Sequence, residues 1–460
     1  MIAPFDEDEA YQICQKVISL LDRKVLVLKH TGKISEERQN IGIMIGAMVA
    51  VDSKGTKFNF VAVSGTAREL AVNLPVSPEL RNLQNLIIVP PVVQNYAIQK
   101  ALEKNDDAVH KMTAQIEALE KQISGADNQL QIQLKNQIKE IESNRTALTT
   151  ESFYKVLELY NFNCFDGSVK NILEITKGQL TPGGTGECCA PKLLDYCFKS
   201  KYRPVSMCEV YYGNPSEHKI PGQKYPPCDE RCGIILPSML GLEILYRDKD
   251  IIVVNKQSGV LSVPGREEKD CIVNRVRNLF PDCIEQPSVH RLDMETSGLL
   301  VLAFNKEAHR NLSMQFEAGT VSKKYEALID GILPKMGIPT DGQSTLYFRL
   351  DPDNRPHQIW DEVYGKKAIT SWHIEKVEDY TAPDKTKRPV TRITFEPVTG
   401  RTHQLRLASS DSHGFGCPII GDTLYGTCAE GERLMLHAKY LSFKHPVSGQ
   451  QMEFNCPAPF

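Results

Sequence analysis

Apolar positions in the first 95 residues fall into short β-rich runs. Val25-Leu26-Val27-Leu28, Ile41 to Val51 and Phe58 to Val63 are separated by turn formers such as Thr31-Gly32-Lys33 and Asp52-Ser53-Lys54-Gly55. These runs predict a small α/β or β-rich domain over residues 1–95. The period then changes. Met112, Ile116, Leu119, Ile123, Ala126 and Leu130 are spaced by alternating steps of four and three, and Leu134, Ile138 and Ile141 continue the seam. With Gln, Lys, Glu and Asn between them, they form a narrow stripe on a helix with polar flanks. Ser124-Gly125-Ala126-Asp127 interrupts the stripe as a helix stop and restart, predicting a helical hairpin or coiled-coil arm over residues 96–150. A single long helix tolerating one glycine, at about 1 kcal/mol, is the alternative. Residues 151–236 are rich in cysteine. Residues 237–460 form the last domain, in which Leu245 to Lys256 reads as a charged turn entering a fully buried strand.

The chain has 460 residues, of which 41% are hydrophobic and 24% charged, so it can build several cores and is not a disordered chain. Its longest apolar stretch, Ile41 to Val51, is far shorter than the roughly 20 residues of a membrane helix. The first residues, Met1-Ile2-Ala3-Pro4-Phe5-Asp6-Glu7-Asp8-Glu9, are acidic where a signal peptide would be basic and then apolar. The expectation is a cytoplasmic protein with no membrane partner. A net charge of −3 supplies no global basic field, so binding to nucleic acid would need a local basic surface.

Thirteen cysteines in such a chain point to reduced thiols, and six of them fall between Cys188 and Cys232. Thr181-Pro182-Gly183-Gly184-Thr185-Gly186 lacks the Gly-Lys-Ser/Thr ending of a phosphate loop. Cys188, Cys189, His218, Cys228 and Cys232 could instead supply thiolate and imidazole ligands to a structural Zn²⁺. Buried, reduced cysteines packed as small hydrophobes are the competing explanation.

The densest chemistry lies in Ser288-Val289-His290-Arg291-Leu292-Asp293-Met294-Glu295-Thr296-Ser297-Gly298, a polar loop running into the apolar strand Leu299 to Ala303. It presents one carboxylate, Asp293, at the end of a rigid element. Taken alone, Asp293 could equally cap the Thr-Ser-Gly turn. Lys323-Lys324-Tyr325 places an aromatic in a strand just after two lysines. Thr399-Gly400-Arg401-Thr402-His403-Gln404-Leu405-Arg406 places two arginines five apart, on opposite faces of an expected strand. A carboxylate, an aromatic and an inward arginine among basic residues suit a nucleobase.

These motifs resemble the RluA-type pseudouridine synthases. The resemblance rests on His-Arg-Leu-Asp-x-x-Thr-Ser-Gly-Leu-Leu, Lys-x-Tyr-x-Ala, Thr-Gly-Arg-Thr-His-Gln-Leu-Arg, Pro418-Ile419-Ile420-Gly421-Asp422 and Leu436 to Pro446. It covers residues 241–460. Asn255-Lys256 through Arg266 looks most like the branch acting on tRNA uridine 32 and 23S rRNA uridine 746. The sequence departs from the family at Gln257, usually Pro, and at Ala408, commonly His. Residues 1–240 stand where many relatives carry an S4-type RNA-binding module.

The resemblance implies an α+β fold: a mostly antiparallel mixed sheet with flanking helices and a central active-site cleft. To this the chain adds an N-terminal α/β region and the helical arm. The implied reaction is isomerisation of uridine to pseudouridine in tRNA, 23S rRNA or both, with no cofactor for catalysis. Asp293 is then the catalytic carboxylate, attacking uracil or ribose, and Arg406 faces and stabilises it. Tyr325 stacks on the uracil, and Arg291 fills the space left by the flipped base. Lys324, Arg401 and His403 contact substrate. The helical arm would reach for RNA, make a homodimer contact, or serve only as a structural insert with a solvated face. An RNA-binding or ribosome-assembly factor that uses the same domain mainly to grip RNA is the alternative function.

Overall fold

The computed structural model describes residues 4–30, 42–65, 68–73, 86–124, 127–266 and 270–460; the turn expected at Thr31-Gly32-Lys33 and the Gly125-Ala126 break lie outside them. The chain divides into two compact units, Met1–Gly241 and Leu242–Phe460.

The strands of the first unit are β1 (Leu26–His30), β2 (Ile43–Val51), β3 (Lys57–Val63), β4 (Arg68–Val72), β5 (Leu86–Ile88), β6 (Asn161–Asn163), β7 (Val169–Asn171) and β8 (Arg203–Tyr212). Its main sheet has the order β5-β3-β2-β8. β2 is central and almost wholly buried because its residues are apolar or glycine on both faces. One face, with Ile45 and Ala47, packs on the helix Asp8–Asp22 through Ala10, Cys14 and Val17. On the other face, Gly46 admits the helix Cys189–Lys199: a Cβ at Gly46 would lie 2.3 Å from the Cβ of Cys189.

β8 comes from the cysteine-rich segment and pairs antiparallel with β2 along its length. Residues 1–95 and 151–236, expected as separate domains, therefore share one sheet and one core. The intervening segment is two helices, Asn95–Ile123 and Asn128–Leu157. The Asp127 side chain caps the second helix by accepting from Leu130 N. The helices run antiparallel, with Asn105 Nδ2 donating to Ser152 Oγ (3.0 Å) and Arg145 to Thr113 Oγ1 (3.4 Å). Ile116 and Leu134 of the seam are buried within this single chain, so the stripe is used in pairing the two helices.

In the second unit, β9 (Glu243–Arg247), β10 (Ile251–Lys256), β11 (Ser297–Ala303), β12 (Ser322–Ile329), β13 (Asp341–Leu350), β14 (Gln358–Trp360), β15 (Lys366–Thr381), β16 (Lys387–Pro397), β17 (Leu436–Lys444) and β18 (Gln451–Asn455) form one ten-stranded sheet. Its order is β14-β13-β15-β16-β12-β17-β11-β10-β9, with β18 on β17. Every pairing is antiparallel except β11 with β17. This is an α+β fold with a mostly antiparallel mixed sheet and flanking helices. The helix Lys306–Glu317 buries Ala308 and Leu312 against Val253, Leu299 and Val301.

Residues 401–406 are not a strand. His403 adopts a left-handed backbone (φ 54°) and starts a short helix, Gln404–Ser410. The buried Gln404 side chain holds that turn: its Oε1 accepts from Arg401 N (3.0 Å) and Thr399 Oγ1 (2.8 Å), and its Nε2 donates to Ile369 O (2.9 Å). Arg401 thus lies exposed in the loop, whereas Arg406 lies inside the helix and is 2% exposed.

Candidate active site

A cleft of about 940 Å³ opens on the second unit, lined by Arg291, Asp293, Lys323, Tyr325, Arg401 and Arg406 among others. Asp293 sits on the loop before β11, which the 256–262 segment pins by its backbone. Ser262 Oγ donates to Leu292 O (2.7 Å) and accepts from Leu292 N (3.0 Å). Ser258 Oγ donates to Glu295 O (2.6 Å). Lys256, fully buried, donates from Nζ to the carbonyls of Met294 (2.9 Å), Val260 (2.7 Å) and Gln257 (3.0 Å). Burial lowers the Lys256 pKa to about 7, against the raising effect of Asp293.

Tyr325 enters the cleft from β12, opposite Phe395 of β16 and Ala438 of β17. Burial raises its phenol pKa, and the Asp293 carboxylate raises it further. His403 Nε2 lies 4.0 Å from Asp293 Oδ1, and its Nδ1 meets Tyr425 OH at 2.6 Å. Burial lowers the His403 pKa although Asp293 opposes that shift, so the imidazole tends to neutrality.

Arg406 is not paired with Asp293. Its Nε and one terminal nitrogen grip Asp422 (2.8 and 2.5 Å), and that nitrogen also donates to Glu295 (3.1 Å). Burial works against the guanidinium charge, but Asp422 outweighs it, with Asp293 and Glu295 adding, and the pKa rises. Asp293 therefore feels Arg406 through the field and not through a hydrogen bond.

Arg291, Arg401 and His403 line the cleft as expected, but Lys324 does not. β12 shifts register between Lys324 and Tyr325, and Lys324 pairs with Glu396 (2.8 Å) while Lys323 lines the cleft. Sequence reasoning also missed Lys256, Glu295, Asp422 and Tyr425. The available signal was Asp422 itself, an acid ending the apolar Pro418-Ile419-Ile420-Gly421 run, which must be paired if buried.

The cysteine expectation is corrected in two members. Cys189 is buried in the sheet core, its thiol donating to Met44 O (3.3 Å), because a helix turned over Gly46 points it there. His218 is 85% exposed beside Glu217. Cys188, Cys228 and Cys232 do converge, with their sulfurs within 4.8 Å of one another.

The profile of the family described as RNA pseudouridylate synthase matches residues 250–411. The dual-specificity RNA pseudouridine synthase RluA of Yersinia pestis is 41% identical over 222 residues, 47% of this chain and 99% of that protein. The chain belongs to the RluA-type pseudouridine synthase family. The Escherichia coli K12 protein of the same name is 40% identical over 225 residues, 48% of this chain and 94% of its own. A solved structure, human RNA pseudouridylate synthase domain containing 1, is 30% identical, covers 48% of this chain and 84% of its own, and superposes with a TM-score of 0.39. The chain is thus an RNA pseudouridine synthase, an isomerase, and pseudouridine synthases need no cofactor for catalysis. Among the described residues, no helix is long and apolar enough to cross a membrane.

Proposed function

We propose that Asp293 is the catalytic carboxylate of an isomerisation of uridines in tRNA, 23S rRNA or both. The reading rests on one observation: Asp293 is the carboxylate at the cleft whose loop is pinned by its backbone, leaving the side chain, among the described residues, free of any ion pair closer than His403 at 4.0 Å. In the reaction the bond from ribose C1′ to uracil N1 breaks, a bond from C1′ to C5 forms, the C5 proton passes to solvent and N1 takes up a proton, so that no atom is gained or lost. Asp293 attacks uracil or ribose to free the base. Tyr325 stacks on the uracil and, with its raised pKa, stays protonated as a donor or relay for that proton. Arg406 is a positioning residue: through Glu295 and Asp422 it shapes the floor beside Asp293. Arg291 and Arg401, both exposed at the cleft, bind phosphate or stack on bases next to the flipped nucleotide.

Support for two RNA substrates comes from the dual specificity named for the relatives and from the likeness of residues 255–266 to that branch. Residues 1–241 add selection among RNAs to the chemistry of residues 242–460, in a cytoplasmic setting. A structural Zn²⁺ in the cysteine-rich segment is part of this reading and plays no role in catalysis.

The test is tritium release from uridine labelled at C5, in a tRNA anticodon stem-loop and in a 23S rRNA fragment. Asp293→Asn should lower turnover by about 10⁴-fold or more while RNA affinity changes little. Retained turnover would remove Asp293 from its role. An unmodified RNA of one class would restrict the substrate to the other.

A further inference from the structure

Cysteines in the first unit fall into two physical groups. Cys14, Cys164, Cys189, Cys197 and Cys208 are buried and behave as small apolar side chains. Cys188, Cys228 and Cys232 form a second group, in which Cys232 is buried but Cys228 is exposed and Cys188 half-buried. Three free thiols, from turns some 40 residues apart in sequence, nevertheless meet within 4.8 Å of one another. Apolar burial does not account for a cluster open to solvent. One disulfide would leave the third thiol over.

The backbone around the cluster favours negative sulfur. Cys188 is the N-cap of the helix Cys189–Lys199, and Cys232 is the first residue of the helix Cys232–Leu240. Both sulfurs therefore lie at the positive ends of helices. The N–H groups of Cys232 and Arg231 approach the Cys228 sulfur. In a tetrahedral site with metal–sulfur bonds of about 2.3 Å, ligand sulfurs lie about 3.8 Å apart, a spacing that sulfurs all within 4.8 Å of one another can meet.

We propose that Cys188, Cys228 and Cys232 bind one Zn²⁺ through three thiolates. Binding displaces three thiol protons to solvent and involves no change of oxidation state. No fourth Cys, His, Asp or Glu among the described residues joins the set, so water fills the fourth position on the exposed side of Cys228. Three thiolates select Zn²⁺ over the hard cations Mg²⁺ and Ca²⁺. The ion would tie the loop between β8 and the helix Cys232–Leu240 to the start of the helix Cys189–Lys199. The other convergent group, Asp248, Asp250 and His445, is already satisfied: Asp248 Oδ2 accepts from His445 Nε2 (2.7 Å) and from Tyr246 OH (2.8 Å).

The experiment uses the full chain, purified under reducing conditions without added metal. Elemental analysis should find about one Zn²⁺ per chain. Chelator treatment should make three further thiols reactive towards a disulfide reagent, and Co²⁺ should restore their protection with the intense visible absorption of tetrahedral thiolate coordination. Cys228→Ser, an exposed and conservative change, should lower zinc retention at least tenfold. His218→Ala should keep the full equivalent. The proposal is overturned if the native chain holds less than a tenth of an equivalent and the chelated chain takes up no Co²⁺. It is equally overturned by stoichiometric iron, by a native disulfide among the three cysteines, or by Cys228→Ser retaining its zinc.

Discussion

Arg406 grips Asp422 through two parallel N–H···O bonds (2.8 and 2.5 Å), and both side chains are buried, Asp422 completely. This fork fixes the guanidinium within the wall of the cleft. A third bond, to Glu295 (3.1 Å), whose other oxygen accepts from Thr423 Oγ1 (2.8 Å), ties the Asp293 loop to the Pro418-to-Thr423 turn. The network fixes the loop that carries Asp293, and among the described residues the Asp293 carboxylate has no ion pair closer than His403 at 4.0 Å.

The first prediction concerns that fork. Arg406→Met should destabilise the second unit by about 3–5 kcal/mol, because it leaves the buried Asp422 carboxylate without its cation. A sequence-based pairing of Arg406 with Asp293 would have activity return to this variant as pH is raised. The observed pairing reverses the sign: the stability deficit against the unchanged protein should narrow as pH falls, since an unpaired buried carboxyl takes up a proton rather than keep its charge. Arg406→Lys should be intermediate, keeping the charge and losing the fork. Urea unfolding across a pH series reads all three, and a deficit that widens on acidification would reject the assignment.

Lys256 carries the second. Its pKa is lowered by burial to about 7, while in the unfolded chain it lies near 10.5. Between those values the unfolded state binds more protons, so stability should rise with pH across that window, by a few kcal/mol at most. Lys256→Met should abolish this slope. It also strips the Met294 carbonyl of its donor, and the displaced Asp293 loop should lower kcat by roughly 10²-fold with a smaller change in KM. A variant that keeps both the slope and the rate would show that Lys256 does not position the loop.

Gly298 gives a steric prediction. It has φ 115°, and a Cβ there would lie 2.4 Å from the carbonyl oxygen of Ala438, where β11 meets β17 in the sheet's parallel pairing. Gly298→Ala should therefore cost more than the usual loss of about 1 kcal/mol for an incompatible backbone, and the thermal midpoint should fall accordingly. An unchanged midpoint would mean that the two strands part easily at this point.

What the sequence made readable depended on how local the cause was. The apolar run Leu299 to Ala303 announced a buried strand, and its polar lead-in placed Asp293 at the mouth of the cleft, because both follow from neighbouring residues. The step of four and three from Met112 onward announced helices for the same reason. The partner of β2 was not readable, since β8 lies some 160 residues away and its pairing is set by the shared core. Nor was the helix at Arg406, which depends on the left-handed His403 and on Gln404 reaching Ile369. Cys188 and Cys189 are adjacent in sequence, yet a helix start turns one towards other thiols and the other into the core.

The last prediction concerns acid. His437 is 1% exposed and is held at both ring nitrogens: Nδ1 lies 2.8 Å from Ser297 Oγ and Nε2 3.0 Å from Cys456 O. Arg433 donates to the same Ser297 oxygen (2.6 Å), which directs the hydroxyl proton towards Nδ1 and leaves the ring neutral, with its proton on Nε2. Burial lowers the His437 pKa to about 4, the Cys456 carbonyl opposing and the Arg433 charge adding. His290, whose Nε2 accepts from Val301 N (3.1 Å), is lowered by burial to about 3. Both histidines titrate near 6.5 once unfolded, so between pH 6.5 and 4 the unfolded chain binds about two more protons than the folded one at these sites. Their contribution to stability is full above that window and is lost as pH falls through it. His437→Gln can keep a neutral amide between Ser297 and Cys456, and should lower the proton uptake on unfolding at pH 5 by about one while reducing stability at pH 8 by only about 1–2 kcal/mol. The measurement is the slope of unfolding free energy against pH. An unaltered slope in this variant would mean that His437 takes up its proton in the folded protein as well, and that the Ser297 bond runs in the opposite direction.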